Sequence, residues 1–542
     1  MGGFLPGGAF ASGEGPRVDR RRLLLGGAGL AAGATVTAGW TGPGGGHEAA
    51  GDGPVCHRGT VLHFTGDPGD REHGNAHTHL FEDGALVVHR GHVVYAGPWE
   101  SRPPAARVAD HRGHLILPGF IDTHIHSGQI DAVASPGGQL LPWLKKYIYP
   151  AEMRFEDRDY AAQASWDFLN ILLSAGTTTA AVHTTTYPQS TEAFFDQALR
   201  LNLRMVAGKV LMDSGGGTVP DAYLDRDWRH GQELTRDLIE RYNGRRGSAS
   251  DPYGSSRLCY CITPRFAPTS TLRALKAAGE LYREFAGKGE PVWAQSHLAE
   301  NRDEIDLVMD LFCDAFPGRR LRSYLDVYDR CGLVGPRTIW AHCVWPDHEY
   351  HPRPRKCRHR HRGPARDRQV LRARGAGVSF CPTSNLFLGS GFFRLHRTRD
   401  AGVPVGLGTD IGAGTSYSLL HTLGDAYKAV QLGNGFPDRL PEPRRHTLTA
   451  LRGLYLATRG GAEALRLQDR VGSFQPGMEA DFVVLDLGAT PALRRRVEAA
   501  QSVHDRLFAL TILGDERCTV ATYVLGHPVY QRGHSPYTPF RA

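Results

Sequence analysis

The chain has 542 residues, 41% hydrophobic and 22% charged, with a formal charge of +7. That is enough apolar material for one large core plus a smaller domain, and it excludes a disordered or collagen-like chain. Much of the positive excess sits between Arg353 and Arg374, so a protein-wide nucleic-acid footprint is not expected. The 9 cysteines are odd in number and several, such as Cys259, Cys261 and Cys381, lie in apolar runs; they read as reduced core thiols, not a disulfide framework.

Residues 1–54 read as a signal or linker region. DRRRLLLGGAGLAAGATVTAGW (Asp19–Trp40) sets arginines before a Gly/Ala/Leu stretch and resembles a twin-arginine export signal. The competing reading, an upstream extension of a cytoplasmic chain, is slightly preferred. The Gly-rich stretch Thr41–Pro54 then reads as a linker, and no later run is apolar for long enough to span a bilayer.

Short strand-like pieces with turn residues between them fill 55–117, and the same character returns in 471–542, at VGSFQPGMEADFVVLDL and CTVATYVLGHPVY. The two flanks are expected to form one small β-sandwich domain. Between them, over 118–470, eight apolar strand-like runs alternate with helical patterns: LILPGFIDTHIH, GTTTAAVHTT, RMVAGKVLMD, CYCITPRF, VWAQSHLAE, TIWAHCVW, GVSFCPTSN and VPVGLGTDI. Eight βα units predict an α/β fold of the (β/α)8 TIM-barrel type, whose catalytic face lies at the C-terminal ends of the strands.

The polar residues at those ends are His124 and His126, His297 with Glu300, His342, and Asp410. Side chains two apart on a strand share a face, so His124 and His126 can both aim into the barrel mouth. Three imidazoles and a carboxylate suit Zn²⁺, with Fe²⁺ as the weaker competitor, and leave a position open for water. His183 and His79 read instead as hydrogen-bonded core residues. Lys209 lies in the third strand-like run, RMVAGKVLMD.

PGFIDTHIHSGQ, PWLKKYIYPAEMRF, TPRF, SHLAENRDE, CPTSNLFLGSGFF and GLGTDIGAGTSYSLL together resemble the amidohydrolase superfamily and, within it, the guanine deaminase family, in order from about residue 57 to 530. The resemblance implies hydrolysis of guanine to xanthine and ammonia, one zinc held by His124, His126, His297 and Asp410, and His342 as a further ligand or hydrogen-bond partner of the water. It makes Glu300 the proton shuttle and Asp410 the acceptor of the water's proton. Gln129, Arg265 and Phe266 would hold the purine, Ser127 and Gly128 would line it with backbone, and Trp143 would close over the ring. It also implies a homodimer, with no nucleic-acid partner and no membrane contact in the mature form.

On the residues alone, the favoured readings are that Arg265 pairs with a nearby acid and that Phe266 belongs to the core. A related aminohydrolase or chlorohydrolase acting on another purine, a pterin, a pyrimidine or a triazine is the alternative activity. The stretch 346–375, PDHEYHPRPRKCRHRHRGPARDRQVLRARG, lacks the apolar periodicity of a barrel-packing helix. It reads as a solvated loop or an out-of-frame stretch, and a catalytically silent homologue disrupted there is the third possibility.

Overall fold

The computed structural model describes residues 53–215, 219–245, 256–288, 292–316, 321–347, 366–435 and 446–533. Nearly all of the expected leader and linker at 1–54, and residues 348–365 of the anomalous stretch, lie outside them.

Four strands begin the described chain: β1 (Val55–Phe64), β2 (Thr78–His89), β3 (His92–Pro98) and β4 (Arg107–Pro118). The next nine are β5 (Phe120–His126), β6 (Thr177–His183), β7 (Arg204–Gly208) with its short continuation β8 (Val210–Leu211), β9 (Leu258–Pro264), β10 (Trp293–Leu298), β11 (Thr338–His342), β12 (Gly377–Phe380) and β13 (Val405–Leu407). They pair in parallel and in chain order from β5 to β13, and each of the eight sequence-predicted runs supplies one barrel strand. Every residue of β5, β6, β9, β11 and β12 is buried. Strands sealed on both faces need continuous apolar or β-branched sequence, which is what TTTAAVH and LCYCITP provide.

The helices between the strands carry their own start signals. Asp157 accepts from the backbone N–H groups of Asp159 and Tyr160 to cap Arg158–Ser174, and Thr271 caps Leu272–Gly287. Asn301 and Glu304 form a reciprocal capping box at the start of Arg302–Phe312. That box matters for the site, because Glu300 directly precedes it.

Three more strands close the chain: β14 (Phe482–Asp486), β15 (Thr519–Val524) and β16 (His527–Gln531). β14 runs antiparallel to β4, with Phe482 opposite Pro118 and Val484 opposite Ile116. The flanks thereby join in one seven-stranded sheet of order β16-β15-β14-β4-β1-β2-β3. Two helices, Pro491–Glu498 and Val503–Leu513, intervene between β14 and β15, and the second packs on the barrel helix Leu419–Gly433. At the N-terminal rim of the barrel, Arg257 donates to Glu479 and, at 2.6 Å, to Asp481, while Arg204 also pairs with Glu479. This buried group ties the barrel to the segment leading into β14.

The anomalous stretch ends differently from expectation. Asp367–Arg374 is a helix, with Leu371 buried and Asp367 accepting from Ser323 Oγ at 2.5 Å. Eight residues that bury one leucine and one aspartate leave almost no apolar period in the sequence. Among the described residues no helix is long and apolar enough to cross a membrane, and all eight cysteines there are unbridged.

Candidate active site

Four strand ends bring the histidines and the aspartate together. His124 and His126 close β5, His297 is the penultimate residue of β10, His342 ends β11, and Asp410 follows β13 by three residues. One donor atom from each of His124, His297, His342 and Asp410 lies within 4.8 Å of all the others. His126 joins them: its Nε2 is 3.2 Å from Nε2 of His297 and 3.3 Å from Oδ1 of Asp410. His342 and Asp410 adopt left-handed backbone angles (φ 67° and 54°), a strained conformation that turns both side chains off the strand direction.

The donor set fits a divalent metal. Nε2 of His342 is buried without a hydrogen bond and Nε2 of His124 faces the Asp410 carboxylate at 3.1 Å, a costly arrangement for His342 unless something electrophilic fills the space. Burial lowers the pKa of His124, His126 (to about 4) and His297, in each case against the neighbouring Asp410 charge. The imidazoles are therefore neutral and can offer lone pairs. Burial works to raise the Asp410 pKa, but the facing His124, His126 and His342 hold it well below the usual range. Second partners fix the tautomers: His297 Nδ1 donates to the Arg265 carbonyl at 2.6 Å and His342 Nδ1 to Asn385 Oδ1 at 3.0 Å, leaving each Nε2 turned to the centre.

His183 is not the hydrogen-bonded core residue expected. It is fully buried, neither ring nitrogen has a hydrogen bond, and its ring lies 4.9, 4.7 and 4.9 Å from those of His124, His126 and His297. β6 is the neighbour of β5, so its last side chain necessarily meets the β5 histidines. His79 is hydrogen-bonded as expected, with Nε2 3.3 Å from Thr65 Oγ1, but it is half-buried and not part of the core. Lys209 pairs with Asp225 at 2.5 Å and stands apart from the cluster.

Glu300 is placed by its own helix. The capping residue Glu304 accepts its backbone N–H at 2.9 Å, and Ser390 Oγ donates to its Oε1 at 2.9 Å. Its Oε2 lies 3.7 Å from Nε2 of His342. Burial, reinforced by the Asp410 charge, pushes its pKa up to about 8, so near neutrality it holds a proton it can give away.

A cavity opens above this cluster. His126, His297, His342, Asp410 and Glu300 line one side, and Gln129, Trp143, Arg265, Phe266 and the aliphatic Leu140, Leu144 and Leu388 line the rest. Arg265 pairs with a nearby acid, its Nη1 lying 2.6 Å from Glu152 Oε2, and it also lines the cavity. Phe266 is likewise both core and wall, packed in a cluster with Trp143, Leu144 and Tyr223.

Ser127 and Gly128 do not line the cavity; they begin the 3-10 turn Ser127–Ala132 that carries Gln129. Gly128 has a packing reason, since a Cβ there would meet Thr185 Cγ2 at 2.7 Å and Glu152 Cγ at 3.2 Å. Glu152 itself, Ser390 and the aliphatic lining were not identified from the sequence. The only signal for Glu152 was a carboxylate inside the aromatic run YIYPAEMRF.

The profile of the amidohydrolase family matches residues 115–529. The chain belongs to that family. As an amidohydrolase it is 41% identical over 457 residues to a guanine deaminase of Escherichia coli, covering 84% of this chain and 92% of that protein. A solved structure of guanine deaminase from Bradyrhizobium japonicum is 34% identical with a TM-score of 0.77, covering 89% of this chain and all of that one. The structure of a guanine deaminase from C. acetobutylicum with guanine bound in the active site is 25% identical with a TM-score of 0.70, covering 88% and 100%. The family is metal-dependent, in keeping with the histidine–aspartate cluster at the barrel mouth.

Proposed function

We propose that this amidohydrolase is a guanine deaminase that converts guanine and water to xanthine and ammonia, with one zinc ion in the histidine–aspartate cluster. One observation carries the reading: a single cavity joins that cluster and a proton-bearing glutamate to Arg265 and Gln129. Arginine offers donors alone, whereas the glutamine amide offers both a donor and an acceptor. Together they suit a base edge with a carbonyl oxygen and ring nitrogens, and neither a triazine nor an apolar ring makes full use of them. Phe266 and Trp143 supply flat apolar walls for the ring.

His124, His126, His297 and Asp410 would hold the metal, with His342 as a further donor or as hydrogen-bond partner of the water. When bound, zinc supplies Lewis-acid activation, lowering the pKa of a coordinated water from about 15.7 towards about 7. The chain's own task is proton transfer and orientation. Asp410 accepts a proton from the water as its oxygen adds to C2 of guanine. Glu300 gives its proton to N3, relieving the charge that addition would place on the ring. Asp410 passes the proton it accepted to the amine, which leaves as ammonia when the C2–N bond breaks, and the carboxylate of Glu300 takes the remaining hydroxyl proton as the C2 carbonyl forms, restoring both side chains. The leucines and Trp143 exclude bulk water from the ring. A homodimer is proposed as the solution state and is tested by light scattering.

The test is metal analysis of the purified protein together with ultraviolet monitoring of guanine. Conversion to xanthine by protein carrying about one zinc per chain is expected. Soluble, zinc-loaded protein that leaves guanine untouched would overturn the proposal.

A further inference from the structure

Glu152 lies on the short helix Tyr149–Met153, is 0% exposed and does not line the cavity. A buried carboxylate that far from water needs partners, and three donors converge on it. Gln129 Nε2 donates to Oε1 at 2.9 Å; Arg265 Nη1 and Tyr223 Oη donate to Oε2 at 2.6 and 2.7 Å. Two of the three come from the residues assigned to the purine edge, though they stand 23 and 113 residues away in sequence.

We infer that Glu152 is a positioning residue that sets selectivity for a purine bearing a 6-oxo group, by orienting Arg265 and Gln129 and balancing the guanidinium charge. This rests on the proposed purine-binding reading and extends it.

The geometry gives the reason. Arg265 reaches Glu152 through Nη1, which leaves other N–H groups for the cavity. Gln129 is pinned at both ends, since its Oε1 also accepts the Gly412 N–H at 2.8 Å. Its amide therefore cannot flip, and the order of donor and acceptor it presents is fixed. Without the carboxylate, the buried Arg265 would leave an unbalanced positive charge beside a neutral base. No other residue type does the same work. A glutamine at 152 would aim an NH₂ group at donors on one side or the other, and an aspartate is one methylene too short to reach all three.

The test measures binding of two bases that cannot be deaminated at C2, hypoxanthine with its 6-oxo oxygen and unsubstituted purine without it, to the zinc-loaded wild type and Glu152→Gln. We expect the Kd of hypoxanthine to rise about tenfold or more and that of purine to change by less than about threefold, with zinc content unchanged. The guanine KM should rise by a similar factor while kcat stays within about threefold. A purely structural role would weaken both bases alike, and that result, or no change in either, overturns the inference. Should Glu152→Gln not fold, Tyr223→Phe removes one donor and spares the carboxylate. It is expected to weaken hypoxanthine selectively by about threefold, and a non-selective or absent effect overturns the inference. Wild-type turnover of guanine is read separately, so failure of the activity assignment is distinguishable from failure of the role for Glu152.

Discussion

Asp410 meets His124 twice: its backbone N–H donates to the His124 carbonyl at 2.9 Å, and its Oδ1 lies 3.1 Å from the His124 Nε2. The first contact links the segment after β13 to β5, bringing the last strand's end to the first. The second places a carboxylate among the imidazoles. Barrel closure and assembly of the metal cluster are thus one structural event. Asp410→Asn keeps the size and the backbone bond but removes the charge, so the fold is expected to persist. Turnover should fall by about a thousandfold or more, because ligand charge and proton acceptor go together; steady-state kinetics with metal analysis checks this. Activity within tenfold of wild type would count against the role of Asp410.

Glu300→Gln separates proton transfer from metal binding. The glutamine can still accept from Ser390 Oγ, and Glu300 is not among the clustered donors. Zinc content should match wild type while kcat drops by about 10²–10⁴-fold. Undiminished kcat would show that another group carries the proton.

Asn385→Ala tests the outer support of the cluster. His342 Nδ1 loses its acceptor, the ring is free to turn, and the Nε2 facing Glu300 and Asp410 is no longer fixed. A loss of about 10–100-fold in metal affinity or activity is expected, typical of removing such a partner, and chelator competition measures it. Unchanged affinity and rate would mean that packing alone orients the ring.

How far these residues were legible in the sequence follows from where they lie. The strand-end histidines and Asp410 could be found because barrel strands are apolar along their length and polar at their catalytic ends, so position along the run announces role. Glu152 could not, because it sits on a short helix and its partners come from the turn after β5, the loop after β9 and a turn at Tyr223; only the folded chain brings them to one carboxylate. The isolation of His183 was invisible for a similar reason, since a strand-end histidine reads the same whether its nitrogens are satisfied or not. The pairing of β4 with β14 was foreshadowed only as two β-rich flanks, because register depends on partners more than 350 residues apart. The helix Asp367–Arg374 was missed because polar contacts of Asp367 hold it where apolar periodicity would be expected.

Arg257→Ala tests the tie at the other end of the barrel. The guanidinium, 1% exposed, bonds Glu479, Asp481 at 2.6 Å and the Asn202 carbonyl at 2.8 Å. Removing it takes away the only ion-pair partner Asp481 has among the described residues, leaves that carboxylate just the Leu525 N–H at 2.9 Å, and leaves Glu479 paired with Arg204. Breaking one side of a buried ion pair costs about 3–5 kcal/mol, so calorimetry should show a clear drop in Tm. The folded fraction should keep its guanine kcat, since Arg257 precedes β9 while the site lies beyond its other end. A Tm equal to wild type would mean that water or Arg204 compensates.

The small sheet makes stability depend on acid. His57 packs against Phe482 and Tyr523 with Nδ1 3.1 Å from His111 Nε2, and His63 has Nδ1 3.1 Å from Ser473 Oγ. Burial, helped by the neighbouring His111 and His79 respectively, lowers both pKa values to about 3. In the unfolded chain each titrates near 6.5, so between these values the unfolded state binds the extra protons and stability falls as the pH falls. Above pH 6.5 neither group matters; at pH 5 each lowers stability by about 2 kcal/mol, since 1.5 pH units at about 1.36 kcal/mol apiece separate that pH from the unfolded pKa. His57→Phe keeps an aromatic ring in the space and abolishes one titration. Urea unfolding at pH 7.5 and pH 5 should therefore show a smaller acid loss in the variant, by about 2 kcal/mol, with the metal cluster common to both proteins and so cancelling. Equal losses would mean that His57 is protonated in the folded sheet.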